Sequence, residues 1–444
     1  MGEVASALGK PAPNPFSPGF GQLPSMLVGR DDLLAEIGSG LVTGPRDIRY
    51  TSLFMGVRGS GKTVAVTELE DRAASDGWVI LSLDASSKGI LERIQDELGA
   101  LPERYPELDL GKLGGEMTVE RTKGVDIGGF KGGVAETVSL SRGRAMGLRW
   151  QLTYLAEQAQ RRDTSVLLTV DELHAIDREE GRRLSNDLQH ITRRRSELPL
   201  AFLGAGLSEM KYTLLQDKKM TFFRRCEQYD MPPLTEADVA KGLLHPIQDF
   251  GGEITDDALR LAVENIGTLP YKLQLVGHTA WTIADAPERV IDARAVNKAV
   301  ELAQKSFDEK VSEPAFYDLS DSERRFLKGL ADLGWAGKVA DIAVRSGQNV
   351  ETARGIGRRL TISGYLQNDS GIVRLTELVP KRIITQELGE SLEGADESQP
   401  ISVTPMPSDP SPSSKGTDRC RKWMPRKQAY CILVAGHSGR CRSQ

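Results

Sequence analysis

The chain has 444 residues with a formal net charge of −5, and 39% of its residues are hydrophobic while 27% are charged. This balance excludes a uniformly basic nucleic-acid coat, so DNA binding would have to come from local patches, and the length predicts two to four domains. No apolar run approaches the roughly 20 residues that cross a membrane, and the first residues lack the pattern of a secretory signal, so we expect a cytoplasmic protein with no membrane partner.

Five prolines and several glycines within residues 1–25 predict an extended N-terminal arm rather than a helix. Two interpretations of this arm stay open: Phe16 docks onto the domain beside it, or the arm is a flexible tail. Beyond the arm, the apolar spacing at 33–37 predicts a helix with Asp31 as its N-cap.

The octapeptide at 56–63 reads Gly-Val-Arg-Gly-Ser-Gly-Lys-Thr and fits the phosphate-binding P-loop pattern. It lies between a predicted strand at 50–55 and a helix that begins at 64, which is the context this motif requires. Its glycines let successive backbone N–H groups point at phosphate oxygens, while Lys62 is expected to reach the β- and γ-phosphates and Thr63 to bind Mg²⁺. The predicted nucleotide-binding residues of this loop are Gly56, Gly59, Ser60, Gly61, Lys62 and Thr63.

A second chemical element follows about a hundred residues later. A β-branched apolar run predicts a strand at 165–170, which ends in the acidic pair Asp171 and Glu172. Parallel sheets place their chemistry at the carboxyl ends of strands, so Asp171 is expected to hold the Mg²⁺ shell and Glu172 to orient and deprotonate the attacking water. The alternative is an ordinary acidic helix start, favoured by the helix dipole.

The region between these motifs carries further elements. We predict a strand at 78–84, a helix at 90–98 and a helix at 144–161. Two β-prone runs at 118–124 and 134–140 flank a glycine-rich loop and predict a hairpin. This hairpin either touches DNA or a partner, or it decorates the surface.

The sequence Leu27-Val28-Gly29-Arg30 before a helix, followed by the P-loop and the acidic pair, resembles the AAA+ P-loop ATPases over residues 14–385. The origin-recognition-like and STAND-like branches begin in this way, and the usage rich in Arg, Ala and Gly is typical of a GC-rich bacterial gene. The resemblance implies an α/β fold, with a parallel P-loop NTPase sheet in a nucleotide-binding core at 26–232 and a helical lid at 233–312. It also implies ATP and Mg²⁺ as cofactors, and contact of the adenine with the backbone around Val28 and Gly29.

Two departures from the family bear on the rate of hydrolysis. The strand predicted at 199–206 ends in Gly204, Ala205 and Gly206, where the family usually has a polar sensor residue, and Ser208 is a weak substitute. The lid has no second sensor arginine at its third helix, where Lys272 stands two residues after Pro270, the expected first residue of that helix. We therefore expect an ATPase that is slow.

The resemblance also bears on assembly. Arg224 and Arg225 stand where the family carries an arginine that reaches into a neighbouring subunit and neutralises transition-state charge, which implies self-association. An ordinary pair of surface arginines is an equal alternative.

Residues 313–388 resemble a winged helix-turn-helix. Helices are predicted at 320–333, 339–345 and 349–360, followed by strands at 362–366 and 372–375. Such a module lays its third helix in the major groove of DNA. The candidate DNA-binding residues are Arg354, Arg358, Arg359 and Arg374. Winged helices also serve as protein-interaction modules, so both kinds of partner stay open.

The C-terminus changes composition twice. Residues 389–418 are rich in Pro, Ser, Glu and Asp and predict a disordered linker. Residues 419–444 are basic and hold the spacing C-x10-C-x5-H-x3-C, a ligand set that fits a structural zinc site. The candidate zinc ligands are Cys420, Cys431, His437 and Cys441. A chance cluster is the alternative.

These observations favour an ATP-driven switch that binds DNA through the winged helix and the basic tail, in a role like that of a replication initiator or a mobile-element helper. The first alternative is a STAND-type signalling ATPase whose winged helix makes protein contacts only. The second is a binding module in which ATP is structural and turnover is negligible.

Overall fold

The computed structural model describes residues 14–19, 22–113, 116–127, 130–141, 146–194, 197–284 and 289–390, and the pairs 423–424 and 429–430. Residues up to 392 form one compact unit. Residues 393–444 form a second unit, in which the described pairs are the antiparallel strands Trp423–Met424 and Ala429–Tyr430. All four candidate zinc ligands and nearly all of the predicted linker lie outside the described residues.

A parallel five-stranded sheet forms the centre of the first unit, which confirms the predicted α/β fold. Its strands are β1 (Thr51–Gly56), β2 (Val79–Asp84), β5 (Val166–Asp171), β6 (Leu200–Leu207) and β7 (Glu227–Asp230), and their spatial order is β2-β5-β6-β1-β7. Every residue of β6 is buried, as expected for a central strand whose two faces are both covered.

Helices cover both faces of this sheet. They are α1 (Asp31–Thr43), α2 (Lys62–Ser75), α3 (Ile90–Arg104), α4 (Leu148–Arg161) and α5 (Arg178–Arg194). Successive residues of β5 point to opposite faces: Leu167 packs in the core with α1 and α2, and Leu168 in the core with α3, α4 and α5. Two apolar layers thus hold the strand ends, and with them the P-loop and the acidic pair, in fixed positions.

The predicted hairpin is confirmed and is longer than expected. Strands β3 (Glu116–Ile127) and β4 (Phe130–Ser141) pair antiparallel from Glu116 opposite Ser141 to Ile127 opposite Phe130.

Four helices, which we name the lid helices, follow the sheet within residues 233–312: α6 (Glu236–Asp249), α7 (Asp256–Ile266), α8 (Pro270–Ile283) and α9 (Ala293–Phe307). Two short strands, β8 (Glu253–Ile254) and β9 (Val290–Ile291), pair between them. Thr235 and Asp238 form a capping box at the start of α6, and Pro270 occupies the first turn of α8.

The chain then passes through a π-helical segment, Asp308–Ser312, into a C-terminal part of helices and an antiparallel sheet. The helices are α10 (Glu313–Tyr317), α11 (Asp321–Ala331), α12 (Val339–Arg345), α13 (Val350–Ile362) and α14 (Lys381–Glu390). The strands are β10 (Ala336–Lys338), β11 (Leu366–Asp369) and β12 (Ile372–Leu375), in the order β10-β12-β11. Neither β10 nor α14 was expected from the sequence.

Two local predictions were wrong. Asp31 is the first residue of α1, and Arg30 occupies the N-cap without a side-chain cap bond. Ile362 ends α13 instead of opening a strand, because the chain turns at Gly364, whose φ of 81° is left-handed, and β11 begins only at Leu366.

Candidate functional site

The P-loop connects the end of β1 to the start of α2. Gly59 and Gly61 have φ values of 75° and 86°, a left-handed conformation that side chains disfavour. A Cβ on Gly59 would lie 3.2 Å from the Cβ of Tyr271, and the Tyr271 N–H donates to the Gly59 carbonyl over 3.3 Å. The loop glycines therefore permit both the curl of the backbone and the close approach of lid helix α8.

Lys62 is 7% exposed and points back into this curl. Its Nζ donates to the carbonyl oxygens of Gly56 over 3.2 Å and Val57 over 3.0 Å. Burial lowers the pKa of Lys62 to about 8, against the raising effect of the nearby Glu172 and Asp171 charges. The ammonium is held at the centre of the loop, where a phosphate would compensate its charge.

Thr63 and Asp171 are 108 residues apart in the chain and adjacent in space. The Thr63 hydroxyl donates to Asp171 Oδ2 over 2.6 Å, while Asp171 Oδ1 accepts the Glu172 N–H over 2.7 Å. A hydroxyl beside a carboxylate is a hard oxygen donor set of the kind that Mg²⁺ takes together with water and phosphate oxygens. These two residues fit the predicted magnesium site.

Glu172 lies at the same edge in a left-handed conformation, with φ of 49°, which is uncommon for a residue with a side chain. Burial, and then the charge of Asp171, raise the pKa of its carboxyl above the ordinary value. A partly buried carboxylate with a raised pKa is suited to accept a proton near neutral pH.

His174 is a residue of this site that sequence reasoning missed. Its Nδ1 lies 3.2 Å from Glu172 Oε2. Burial, followed by the positive charges of Lys62 and Arg58, lowers the pKa of His174 to about 4, so the imidazole is neutral at pH 7 and the contact is not an ion pair. The sequence did contain a signal for His174, because it follows the end of strand β5 by only three residues.

Arg30 was also missed as a site residue, although its place after Val28 and Gly29 was noted. Arg30 is 3% exposed, and its guanidinium donates to the Ser60 carbonyl over 2.9 Å and the Gly29 carbonyl over 2.8 Å. Burial lowers its pKa, and the charge of Asp238 acts in the opposite direction. Arg30 thus ties the segment before α1 to the P-loop.

A cavity of about 510 Å³ is lined by the P-loop, Arg30 and Glu172, and its volume is within the size range of small-molecule sites. The predicted site residues that line it are Val28, Gly59, Gly61, Lys62, Thr63 and Glu172. The other lining residues come from the N-terminal arm, the segment before α1, the P-loop, β6, α8 and the π-helical segment, and include Ser17, Pro18, Met26, Arg58, Tyr271, Gln274 and Lys310.

Other predicted residues lie elsewhere. Arg224 and Arg225 are exposed on a short 3-10 turn and do not line the cavity. Lys272, a weak candidate for the second sensor, is buried with its Nζ 3.8 Å from Glu377 Oε2, and it does not reach the cavity. Ser208 does not line the cavity either. Lys310 lines the described cavity, although the sequence did not predict it as a site residue.

The glycines at the end of β6 have a packing reason. A Cβ on Gly206 would lie 2.8 Å from Met210 Sδ and 2.9 Å from the backbone nitrogen of His174. A polar sensor side chain at this position would collide with the turn that follows the acidic pair.

The candidate DNA residues divide into two groups. Arg359 Nε lies 3.2 Å from Glu323 Oε1, at the first turn of α11. Arg354 and Arg358 on α13, and Arg374 on β12, are exposed, and none of them forms an ion pair with a described residue. Helix α13 also contacts the 3-10 turn Ser208–Lys211 of the core.

The described part of the chain contains no helix long and apolar enough to cross a membrane. It also contains no group of three or more His, Cys, Asp or Glu side chains placed to hold a metal ion.

No protein-family model matches the chain, and a comparison with curated proteins finds no match. Among solved structures, the Walker-type ATPase paby2304 of Pyrococcus abyssi has a TM-score of 0.55 at 13% identity, over 80% of this chain and 94% of that one. Cdc6p of Pyrobaculum aerophilum has a TM-score of 0.42 at 14% identity, over 84% of this chain and 98% of that one. The Aeropyrum pernix ORC1 protein in complex with DNA has a TM-score of 0.40 at 15% identity, over 83% and 94%. We draw nothing from the last two because their TM-scores are low, whereas the first shows that the chain has the fold of a Walker-type ATPase.

Proposed function

We propose that this protein is an AAA+ ATPase that acts as a slow, ATP-driven switch. The observation that carries this is the 2.6 Å contact of Asp171 with Thr63, a residue that lines the cavity together with Lys62 and Glu172. Lys62 and the P-loop N–H groups would bind the phosphates, Thr63 and Asp171 would hold Mg²⁺, and Glu172 would take the proton of the attacking water. Mg²⁺ supplies charge neutralisation between the phosphates when bound.

We expect slow hydrolysis because the described cavity lacks the two polar sensor side chains that the family usually has. Gly204, Ala205 and Gly206 stand where the family has a polar sensor residue, and Lys272 faces Glu377 instead of the cavity. We propose that Arg224 or Arg225 of a second copy completes the site on self-association, since both are exposed.

Two substitutions separate binding from turnover. We expect Glu172→Gln to lower the rate of phosphate release by at least about 100-fold while binding of ATPγS is kept, because only the general base is lost. Lys62→Ala is expected to abolish binding, because the buried ammonium is the main phosphate ligand. Phosphate release and calorimetric titration measure the two effects.

Glu107→Gln is the matched control, because Glu107 is exposed and does not line the cavity. Equal turnover of Glu172→Gln and the wild type would show that Glu172 is not the base. A wild-type protein that binds ATPγS but never releases phosphate would support the structural-ATP alternative.

A second proposal concerns the C-terminal part. We propose that α11, α12, α13 and the sheet β10-β12-β11 form a winged helix that binds DNA. The exposed side chains of Arg354, Arg358 and Arg374 support this, because they stand on the third helix and the wing without a described ion-pair partner. The contact of α13 with the turn Ser208–Lys211 instead supports the signalling alternative, in which the winged helix makes protein contacts only.

We expect duplex DNA to bind with strong salt dependence, and replacement of Arg354, Arg358 and Arg374 by Gln to reduce the slope of log K against log salt by about 3. Fluorescence anisotropy of a labelled duplex at several salt concentrations measures this slope. Lys298→Gln, an exposed charge change on lid helix α9, is the control.

Comparing the DNA affinity of the full chain with that of a chain truncated after Gly389 measures how much the basic tail contributes to this binding. Absence of binding by the full chain, with and without ATP, would leave the signalling ATPase as the better account.

A further inference from the structure

The P-loop contacts the C-terminal part of the chain directly through Arg58. Arg58 stands between Gly56 and Gly59 in the chain and is one of the residues that line the proposed nucleotide cavity. Its Nη2 lies 2.6 Å from Oδ2 of Asp318, and the two side chains are 37% and 60% exposed. Arg58 is therefore a cation at the phosphate-binding loop whose present partner is a carboxylate 260 residues away in the sequence.

Asp318 belongs to a segment that is fixed to the C-terminal part. It follows α10, and the Tyr365 hydroxyl, just after α13, donates to the Ala315 carbonyl of α10 over 2.7 Å. At the residue before Arg58, a Cβ built on Gly364 would lie 2.1 Å from Val57 Cγ1. The P-loop thus touches the C-terminal part at Val57 and Arg58.

Arg58 also faces other acidic groups at this junction. Burial and the charge of Glu323 raise the pKa of Glu209, and the positive charge of Arg58 opposes that effect. Glu323 is in turn the partner of Arg359 on α13. If Arg58 turned away from Asp318, this group of carboxylates would lose a compensating cation and would repel one another.

We propose that Arg58 is a nucleotide-phosphate ligand and that Asp318 competes with the nucleotide for it. Arg58 is already a lining residue of the cavity, and a phosphate is a bidentate partner for a guanidinium at least as good as a carboxylate that is 60% exposed. Binding of ATP then weakens the Arg58–Asp318 contact and loosens the C-terminal part from the core. This inference rests on the proposed nucleotide binding. It explains how nucleotide binding at the P-loop would change the position of α13 relative to the core.

Linkage gives the test. If ATP must displace Asp318, removal of the Asp318 charge strengthens ATP binding by the free energy of the lost contact. An exposed ion pair of this kind shifts an equilibrium by about two- to fivefold. We expect Asp318→Asn to bind Mg·ATPγS about two- to fivefold more tightly than the wild type, and Arg58→Ala to bind it more weakly, both measured by calorimetric titration of the full chain.

The double variant makes the test specific. In the Arg58→Ala background, Asp318→Asn should leave the affinity unchanged, because the competing pair no longer exists. Asp321→Asn is the matched control, since it removes an exposed negative charge three residues away and should not change the affinity.

A purely structural Asp318 gives a different result. Equal or weaker binding of ATPγS by Asp318→Asn, or the same gain in both backgrounds, would overturn the proposal while wild-type binding stays intact. Loss of ATPγS binding by the wild type itself would instead refute the proposed function, so the two failures are distinguishable.

Discussion

Lys62 holds its ammonium group inside the P-loop, with backbone carbonyls as its hydrogen-bond acceptors. Because burial lowers its pKa to about 8, a fraction of the lysine is neutral at pH 8 when no anion is bound. A bound phosphate favours the charged form and raises this pKa. Nucleotide binding at this residue is therefore coupled to uptake of a proton.

We expect Mg·ATPγS binding at pH 8 to take up about half a proton, and the affinity to fall as pH rises above 8. The sign follows from the shift: the binding-competent charged form is fully present below the pKa of the empty site and is lost above it. Calorimetry in two buffers of different ionisation enthalpy measures the uptake.

The wild type at pH 7 is the control, where the uptake by Lys62 should fall to about a tenth of a proton. The nucleotide phosphates, which ionise with a pKa of about 6, contribute little at pH 8. Zero uptake at pH 8 would mean that Lys62 is already fully charged in the empty site.

At the scale of elements, the described part of the N-terminal arm packs on lid helix α8 through Phe16 and Ser17. Phe16 is 2% exposed and lies over Gly277, where a Cβ would come within 2.6 Å of its ring. The Ser17 N–H donates to Gln274 Oε1 over 3.0 Å, and His278 Nδ1 lies 3.0 Å from the Phe16 carbonyl. Of the two interpretations that the sequence left open for the arm, the docked aromatic is the one the structure has.

Phe16→Ala should therefore weaken both the lid and the nucleotide site. The loss of a buried aromatic side chain costs about 3 kcal/mol of unfolding free energy. ATPγS affinity should also fall, because Ser17 and Pro18 line the cavity. Thermal denaturation and titration with ATPγS measure the two effects.

Leu302→Ala is the control for this substitution, since Leu302 is 43% exposed on α9. A Phe16→Ala variant that unfolds at a lower temperature but binds nucleotide normally would show that the docked arm does not shape the cavity.

At the scale of the whole molecule, the lid and the C-terminal part share one hydrophobic core. Buried residues of the lid, such as Ala303 and Phe307, belong to the same cluster as Phe326, Leu330 and the other apolar residues of the C-terminal helices. The π-helical segment Asp308–Ser312 runs through this cluster, with Asp308 paired to Arg382 of α14. We therefore expect the two parts to unfold together.

We expect Phe326→Ala to lower hydrogen-exchange protection in lid helices α8 and α9 as well as in α11 and α13. Phe326 is fully buried, and its truncation costs about 3–5 kcal/mol of unfolding free energy. Exchange followed by mass spectrometry gives the protection of each helix.

Val344→Ala, at a residue that is 79% exposed on α12, serves as the control and should change no protection. Loss of protection confined to residues beyond Ser312 would show that the lid and the C-terminal part unfold separately.

The sequence by itself determined the elements of the core and the chemistry of its loops. A strand, a glycine-rich loop and a helix at 50–70 follow from local preferences, because φ freedom at Gly59 and Gly61 and apolar runs of strand length act over a few residues. The acidic pair after β5 is local in the same sense. The prediction placed a strand directly after the third helix, whereas α13 continues to Ile362 and β11 begins only after the turn at Gly364. Such a short turn leaves little signal in the sequence.

The tertiary structure alone decided which distant groups meet at the site. Arg30 on Ser60, Tyr271 on Gly59 and Asp318 on Arg58 join residues that no pattern in the chain relates. The meaning of Gly206 also required the structure, because its reason is the close approach of His174 and Met210. Local preferences fix φ, ψ and periodicity within an element, whereas contacts between elements depend on how buried surfaces fit across hundreds of residues, and that fit is a property of the folded chain.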